Sequence, residues 1–204
     1  MEAITFLKEI MSIPSVNGRD DEGKVSEYLY AYLKSCGLRC ELDRIDSLHA
    51  NVVAWMDGTD TEHTVLWNGH VDTVPYGELK AWDSGPSVPT LKENMLYGSG
   101  ASDMKSGLAA MAWLLGEMKR QNKVPSCNIV FAATCDEECG GLGASAFLHK
   151  DILNHVDEIV VGEPTGKNLG IAQKGCLWLE ISGKGKTSHG AYPEKGWNRS
   201  EERR

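Results

Sequence analysis

Residues 128–141 read Asn-Ile-Val-Phe-Ala-Ala-Thr-Cys-Asp-Glu-Glu-Cys-Gly-Gly, an apolar run to Thr134 followed by three consecutive acids, Asp136, Glu137 and Glu138, and a glycine pair. The run has the length and composition of a short strand, and the acids and glycines end it. Upstream, Leu108, Met111, Ala112 and Leu115 share one face of a helix spanning Met104 to Met118. Downstream, a small-residue helix near Leu142 to Leu148 leads into a second apolar strand, Glu158 to Val161. Nearer the N-terminus, extended β-branched runs at Leu38 to Leu42, Asn51 to Trp55 and Thr64 to Trp67 are separated by turn-rich stretches such as Asp57-Gly58-Thr59-Asp60. Two amphipathic helices open the chain, one carrying Ala3, Ile4, Leu7, Ile10 and Met11, the other Val25, Tyr28, Leu29, Tyr32 and Leu33 before Gly37. Strands alternating with helices predict an α/β domain with a mixed, largely parallel sheet flanked by helices.

The ionisable residues fall at the ends of these strands. His70 and Asp72 follow the run ending at Trp67, Glu137 and Glu138 follow Thr134, and Glu163 follows Val161. In an open α/β sheet ligands gather outside the carboxyl ends of the strands, so three strand ends deliver an imidazole and carboxylates to one edge.

Composition narrows the function classes. With 204 residues, 41% hydrophobic and 25% charged, the chain can bury a sizeable core. A formal charge of -8 without a basic cluster argues against nucleic-acid binding. Glu2, Lys8 and Glu9 interrupt the apolar pattern of the first residues, which excludes an export signal or membrane span there and leads us to expect a cytoplasmic protein. Six cysteines without a CxxC pair are then expected as reduced thiols.

Each acidic or histidine motif has a plain reading beside a chemical one. His70-Val71-Asp72 can be loop polarity, or a ligating imidazole whose other ring nitrogen is oriented by a carboxylate. Asp103, between Gly98-Ser99-Gly100-Ala101-Ser102 and a helix, can be an N-cap or a rigidly held ligand. Glu137-Glu138 can be a solvated turn, or a ligand beside a general base. Glu163-Pro164-Thr165-Gly166 can be a stiff turn or a strand-end ligand. Taken together, oxygen and imidazole donors without thiolates are the donor set of a hydrolytic zinc, cobalt or manganese site.

The ordered segments HVDTVP, YGSGASDMKSG, CDEECGG, VGEPTG and KTSHGAYPEKGWN resemble, from about Ile4 to Asn198, the acetylornithine deacetylase and succinyl-diaminopimelate desuccinylase family of di-metal amidohydrolases and peptidases. The resemblance implies two divalent ions, Zn2+ foremost with Co2+ or Mn2+ as alternatives. His70 and Glu163 would hold one, Asp103 would bridge, and Glu138 would hold the other. Glu137 would be the general base, Asp72 would orient His70, and His189 would be a lid histidine that acts across a homodimer on the oxyanion. The resemblance also implies a zinc-peptidase-like catalytic domain over residues 1–174, the start of a lid and dimerisation domain over residues 175–204, and a cis peptide between Asp103 and Met104.

Two departures stand out. Gly98-Ser99-Gly100 occupies the place of the family's Gly-Arg-Gly, and no histidine follows His189, where relatives carry one late ligand. The sequence therefore reads as a truncated form with an incomplete second metal site, low or absent activity, and an exposed strand at Cys176 to Ser182. The implied reaction is cleavage of a small N-acyl amino acid, with no nucleic acid or membrane partner. Dipeptidase, tripeptidase or aminoacylase activity of the same family, or a non-catalytic metal-binding remnant, are the alternatives.

Overall fold

Phe6, Ile10 and Met11 recur at helical spacing and are fully buried, which docks helix α1 (Ala3–Met11) onto the core while Ile4 faces solvent. Helix α2 (Gly23–Ser35) buries Val25, Leu29 and Leu33 on the same principle. The chain then forms β1 (Arg39–Arg44), β2 (Ala50–Met56) and β3 (Asp60–His70), a hairpin of β4 (Thr90–Lys92) and β5 (Met95–Tyr97), and helix α3 (Lys105–Arg120). Strand β6 (Cys127–Thr134), helix α4 (Leu142–Leu148) and β7 (Glu158–Val161) follow. The computed structural model describes residues 1–175, 177, 179–180, 182 and 185–196.

The main sheet is mixed, in the order β1-β2-β6-β3-β7. β1 and β2 are antiparallel, as are β2 and β6, whereas β6, β3 and β7 run parallel. The central strands β2 and β6 are apolar at successive positions because both faces are covered. Val52, Ala54, Phe131 and Ala133 join the cluster under α1, α2 and α3, while Val53, Val130 and Ala132 meet Phe147 of α4 on the other face.

The β3 strand is longer than its β-branched centre suggests. It begins at Asp60, inside the stretch read as a turn, accommodates a register shift between Asp60 and Thr64, and continues to His70 rather than stopping at Trp67. The β4–β5 hairpin has no counterpart in the sequence reading. Its turn residues Glu93 and Asn94 adopt positive φ without glycine.

The chain divides into two units, Met1–Lys167 and Asn168–Arg204. Cys36, Cys40, Cys127, Cys135 and Cys139 carry free thiols. Cys176, Trp178 and Ile181 of the strand expected from Cys176 to Ser182 lie outside the described residues. No described helix is long and apolar enough to cross a membrane.

Candidate metal centre

Parallel pairing sets the positions of the site residues. His70 lies opposite Thr134 in the β3–β6 register, so the Asp136–Glu138 turn emerges beside it. Asn68 lies opposite Val161 in the β3–β7 register, which brings Glu163 level with His70. Helix α3 can approach the end of β7 because residue 107 is glycine: a Cβ there would stand 2.0 Å from the Gly162 carbonyl oxygen. That contact holds the N-terminus of α3, and Asp103 before it, against the segment carrying Glu163.

His70 is 2% exposed. Its Nδ1 lies 3.0 Å from the Asp72 carbonyl oxygen and 3.4 Å from the Asp72 carboxylate, as expected for an imidazole oriented from behind. Its Nε2 faces three carboxylates: Asp103 at 3.2 Å, Glu163 at 3.7 Å and Glu137 at 3.9 Å. Glu138 completes the group, with one ligating atom each from His70, Asp103 and Glu138 lying within 4.8 Å of one another. Asp103 does not cap α3, whose N-terminus has no side-chain capping hydrogen bond, so the capping reading is set aside. The Asp103–Met104 peptide is cis.

The electrostatics are those of crowded like charges. Burial raises the Glu163 carboxyl to about 7 against the pull of His70, with Asp103 and Glu137 adding to the rise. Burial and Asp103 also raise Glu138. Burial would lower His70, but the hydrogen bond and charge of Asp72, helped by Glu163 and Glu137, outweigh it and raise the ring to about 9. Asp72 is itself buried, a cost exceeded by His70 and by the backbone N–H groups of Glu138 and Glu137, so its carboxyl is held below the usual range. A cluster of carboxylates around one imidazole nitrogen is a donor set for a hard or borderline divalent cation, which relieves their repulsion and takes the place of the ring proton.

Asp72 does more than orient His70. Its two oxygens accept the backbone N–H groups of Glu137, at 3.2 Å, and Glu138, at 3.0 Å. Three further side chains, passed over in the sequence, surround this arrangement: Asn17, Glu22 and Lys105. The Lys105 ammonium is buried and donates to the carbonyls of Ile10 and Ile13 at the end of α1, fastening the Asp103 loop to that helix. Within its sequence, Lys105 resembles any cation at a helix start, and Glu22 any acid beside Asp20 and Asp21; only packing separates them.

A cavity of about 310 Å³ opens beside Asp103 and Glu138, lined also by Thr73, Tyr76, Trp82 and Ser102. A second cavity, lined by Trp55, Thr64 and Asn128, lies at the opposite, amino ends of β3 and β6. His189 belongs to the second unit, where its Nδ1 accepts the Ala191 N–H at 3.2 Å.

With this geometry in place, comparison with known proteins identifies the class. The chain belongs to peptidase family M20/M25/M40, whose model matches residues 66–187. It is 33% identical over 197 residues to a Staphylococcus aureus protein named probable succinyl-diaminopimelate desuccinylase, covering 97% of this chain and 48% of that one. It is 32% identical over 206 residues to the succinyl-diaminopimelate desuccinylase of a Wolbachia pipientis strain, covering 95% and 50% respectively. In fold it is similar to an M20 family metallo-carboxypeptidase from Sulfolobus solfataricus, with a TM-score of 0.70 at 21% identity over 79% of this chain and 37% of that chain. The chain spans about half the length of the curated relatives it matches.

Proposed function

We propose that this chain is the metal-binding part of a hydrolase that cleaves the amide bond of small N-acyl amino acids, of the deacetylase or desuccinylase type. One observation carries the reading: the His70 Nε2 and the carboxylates of Asp103, Glu137, Glu138 and Glu163 converge on one small volume at the carboxyl ends of three parallel strands. The names of the curated relatives support the acyl-amino-acid substrate.

In this reading His70, Asp103 and Glu163 hold one divalent ion, Zn2+ foremost, and Asp103 with Glu138 contributes to a second. Bound there, the ions would supply Lewis acidity and make a water more acidic. Glu137, half exposed toward the same space, takes the proton of the attacking water and returns it to the leaving nitrogen. Asp72 keeps the His70 Nε2 turned inward. His189 is assigned the lid role, donating to the oxyanion across a homodimer. The substrate would enter through the cavity beside Asp103 and Glu138.

Two side chains, Asp103 and Glu138, serve the second ion in this reading, against three for the first. We therefore expect this chain to bind one ion more tightly than the other. The test is metal analysis paired with turnover on a panel of N-acyl amino acids and dipeptides. Zinc retained with preferential N-acyl cleavage supports the reading; dipeptide preference would reassign it within the family. Zinc retained without any cleavage would favour a metal-binding remnant, and no zinc retained would overturn the site. In a full-length relative, Ala in place of Glu137 should abolish turnover with metal still bound.

A further inference from the structure

The turn that carries Glu137 and Glu138 is held by more than Asp72. The backbone N–H groups of three successive residues, Asp136, Glu137 and Glu138, all end on buried carboxylates: the first on Glu22 Oε2 at 2.9 Å, the other two on Asp72. Both acids are 0% exposed. Between them lies the Asn17 amide, whose Nδ2 is 2.8 Å from Asp136 Oδ1, 3.1 Å from Glu22 Oε1 and 3.3 Å from Asp72 Oδ2. Asn17 is itself fixed, because its backbone N–H donates to the Thr73 carbonyl while Thr73 N–H donates to Ser15, zipping this segment along the chain around Asp72. Asp136 adopts φ +60, a left-handed conformation that turns the chain sharply ahead of the two glutamates. Its second carboxylate oxygen accepts the Leu142 N–H at the start of α4.

Glu22, His49 and Asp136 bring ligating atoms within 4.8 Å of one another, which could suggest another ion site. Both Glu22 oxygens, however, already accept N–H donors, and His49, held at Nδ1 by the Asp46 carboxylate at 2.9 Å, presents its Nε2 to Glu22 at 3.7 Å as a counter-charge. The cluster is built to hold backbone rather than a cation.

We propose that Glu22 and Asn17 are positioning residues that set the direction of the Glu137 and Glu138 side chains by pinning the Asp136 turn from behind. This rests on the metal-site reading above, and it extends the site to the start of α2, more than a hundred residues away in sequence from Glu138. Glutamine at position 22 offers one acceptor instead of two, so its NH2 must oppose either the Asp136 N–H or the Asn17 amide.

The test uses the full chain and Co2+, whose visible absorption reports its ligand geometry. The Glu138→Ala variant defines the spectral change that loss of this ligand produces. Glu22→Gln is expected to shift the spectrum in that same direction and to weaken Co2+ binding about tenfold, with the far-ultraviolet circular dichroism unchanged. Asn17→Ala, at a half-buried position, should shift it in the same sense by a smaller amount, and it decides the matter if Glu22→Gln does not fold. A spectrum per bound ion identical to that of the unaltered chain, whatever the loss of stability, would overturn the positioning role. Failure of the unaltered chain to bind Co2+ would overturn the metal site and this inference with it.

Discussion

The centre of the sheet and its β7 edge differ sharply in how they are held. Around β2 and β6, Val52, Ala54, Phe131 and Ala133 are at most 1% exposed beneath α1, α2 and α3. In β7, Ile159, Val160 and Val161 are 59%, 49% and 50% exposed on alternating faces, and the strand pairs only with β3 among the described residues. His70, Asp72 and the Asp136–Glu138 turn grow from the sealed part. Glu163 follows the open strand. One part of the site is thus fixed by a core and by buried hydrogen bonds, and the other by a single ladder and one helix contact, so ligand geometry should be robust on one side and easily displaced on the other.

The sharpest probe of that contrast is Phe131→Ala. Removing a ring from a fully buried position in β6 should cost about 4 kcal/mol, from lost burial plus the residual cavity, measured by urea denaturation. A cost under about 1 kcal/mol would mean that the sealed side collapses freely and is not a rigid frame. Gly107→Ala tests the open side. The new methyl would stand 2.0 Å from a backbone oxygen that cannot swing away, so α3 and β7 must part. We expect about 2 kcal/mol of destabilisation, with divalent-ion affinity falling more than Phe131→Ala lowers it under conditions where both variants are folded. Equal losses of affinity would erase the distinction between the two sides.

The sealed side was the legible one. The 3.6-residue spacing in α1, α2 and α3, and the continuous apolar runs of β2 and β6, follow directly from burial against a core, and the acids at the strand ends mark the site edge. Sheet order was not legible, because pairing β7 with β3 and inserting β2 antiparallel beside β6 depend on contacts far apart in sequence. The polar start of β3, Asp60-Thr61-Glu62-His63, carries turn-forming residues on a strand that is exposed there, and so reads as a loop. The β4–β5 hairpin lacks the Asn-Gly or Asp-Gly signal that usually marks such turns. Asn17 and Glu22 share a polar run with Arg19, Asp20 and Asp21, where residue type alone does not separate them, and Glu22 is sealed only when the start of α2 packs beside the Asp136 turn.

That buried network should leave a trace in the pH dependence of stability. Burial, reinforced by the charge of Asp72 and opposed by the Asp136 N–H and His49, raises the Glu22 carboxyl from 4.5 to about 7. The folded chain then binds more protons than the unfolded chain between those values, so this group's contribution to stability falls as pH rises through that window. The expected loss is roughly 1 to 2 kcal/mol between pH 5 and 7, absent in Glu22→Gln, measured as the difference between the two urea-derived profiles. A variant with the same slope as the parent would assign the effect to other groups.

The smallest effect is expected on the exposed edge strand β7. Val160 has half its surface in water and packs in neither buried cluster, so Val160→Lys should change stability by no more than about 0.5 kcal/mol. Its consequence lies elsewhere: a charge on an exposed, apolar edge strand blocks strand-to-strand association, and the variant should scatter less light than the parent at equal concentration. A stability loss above about 2 kcal/mol would be that of a buried position. In that event β7 would hold Glu163 as firmly as the core holds His70, and the uneven support that we assign to the two sides of the site would disappear.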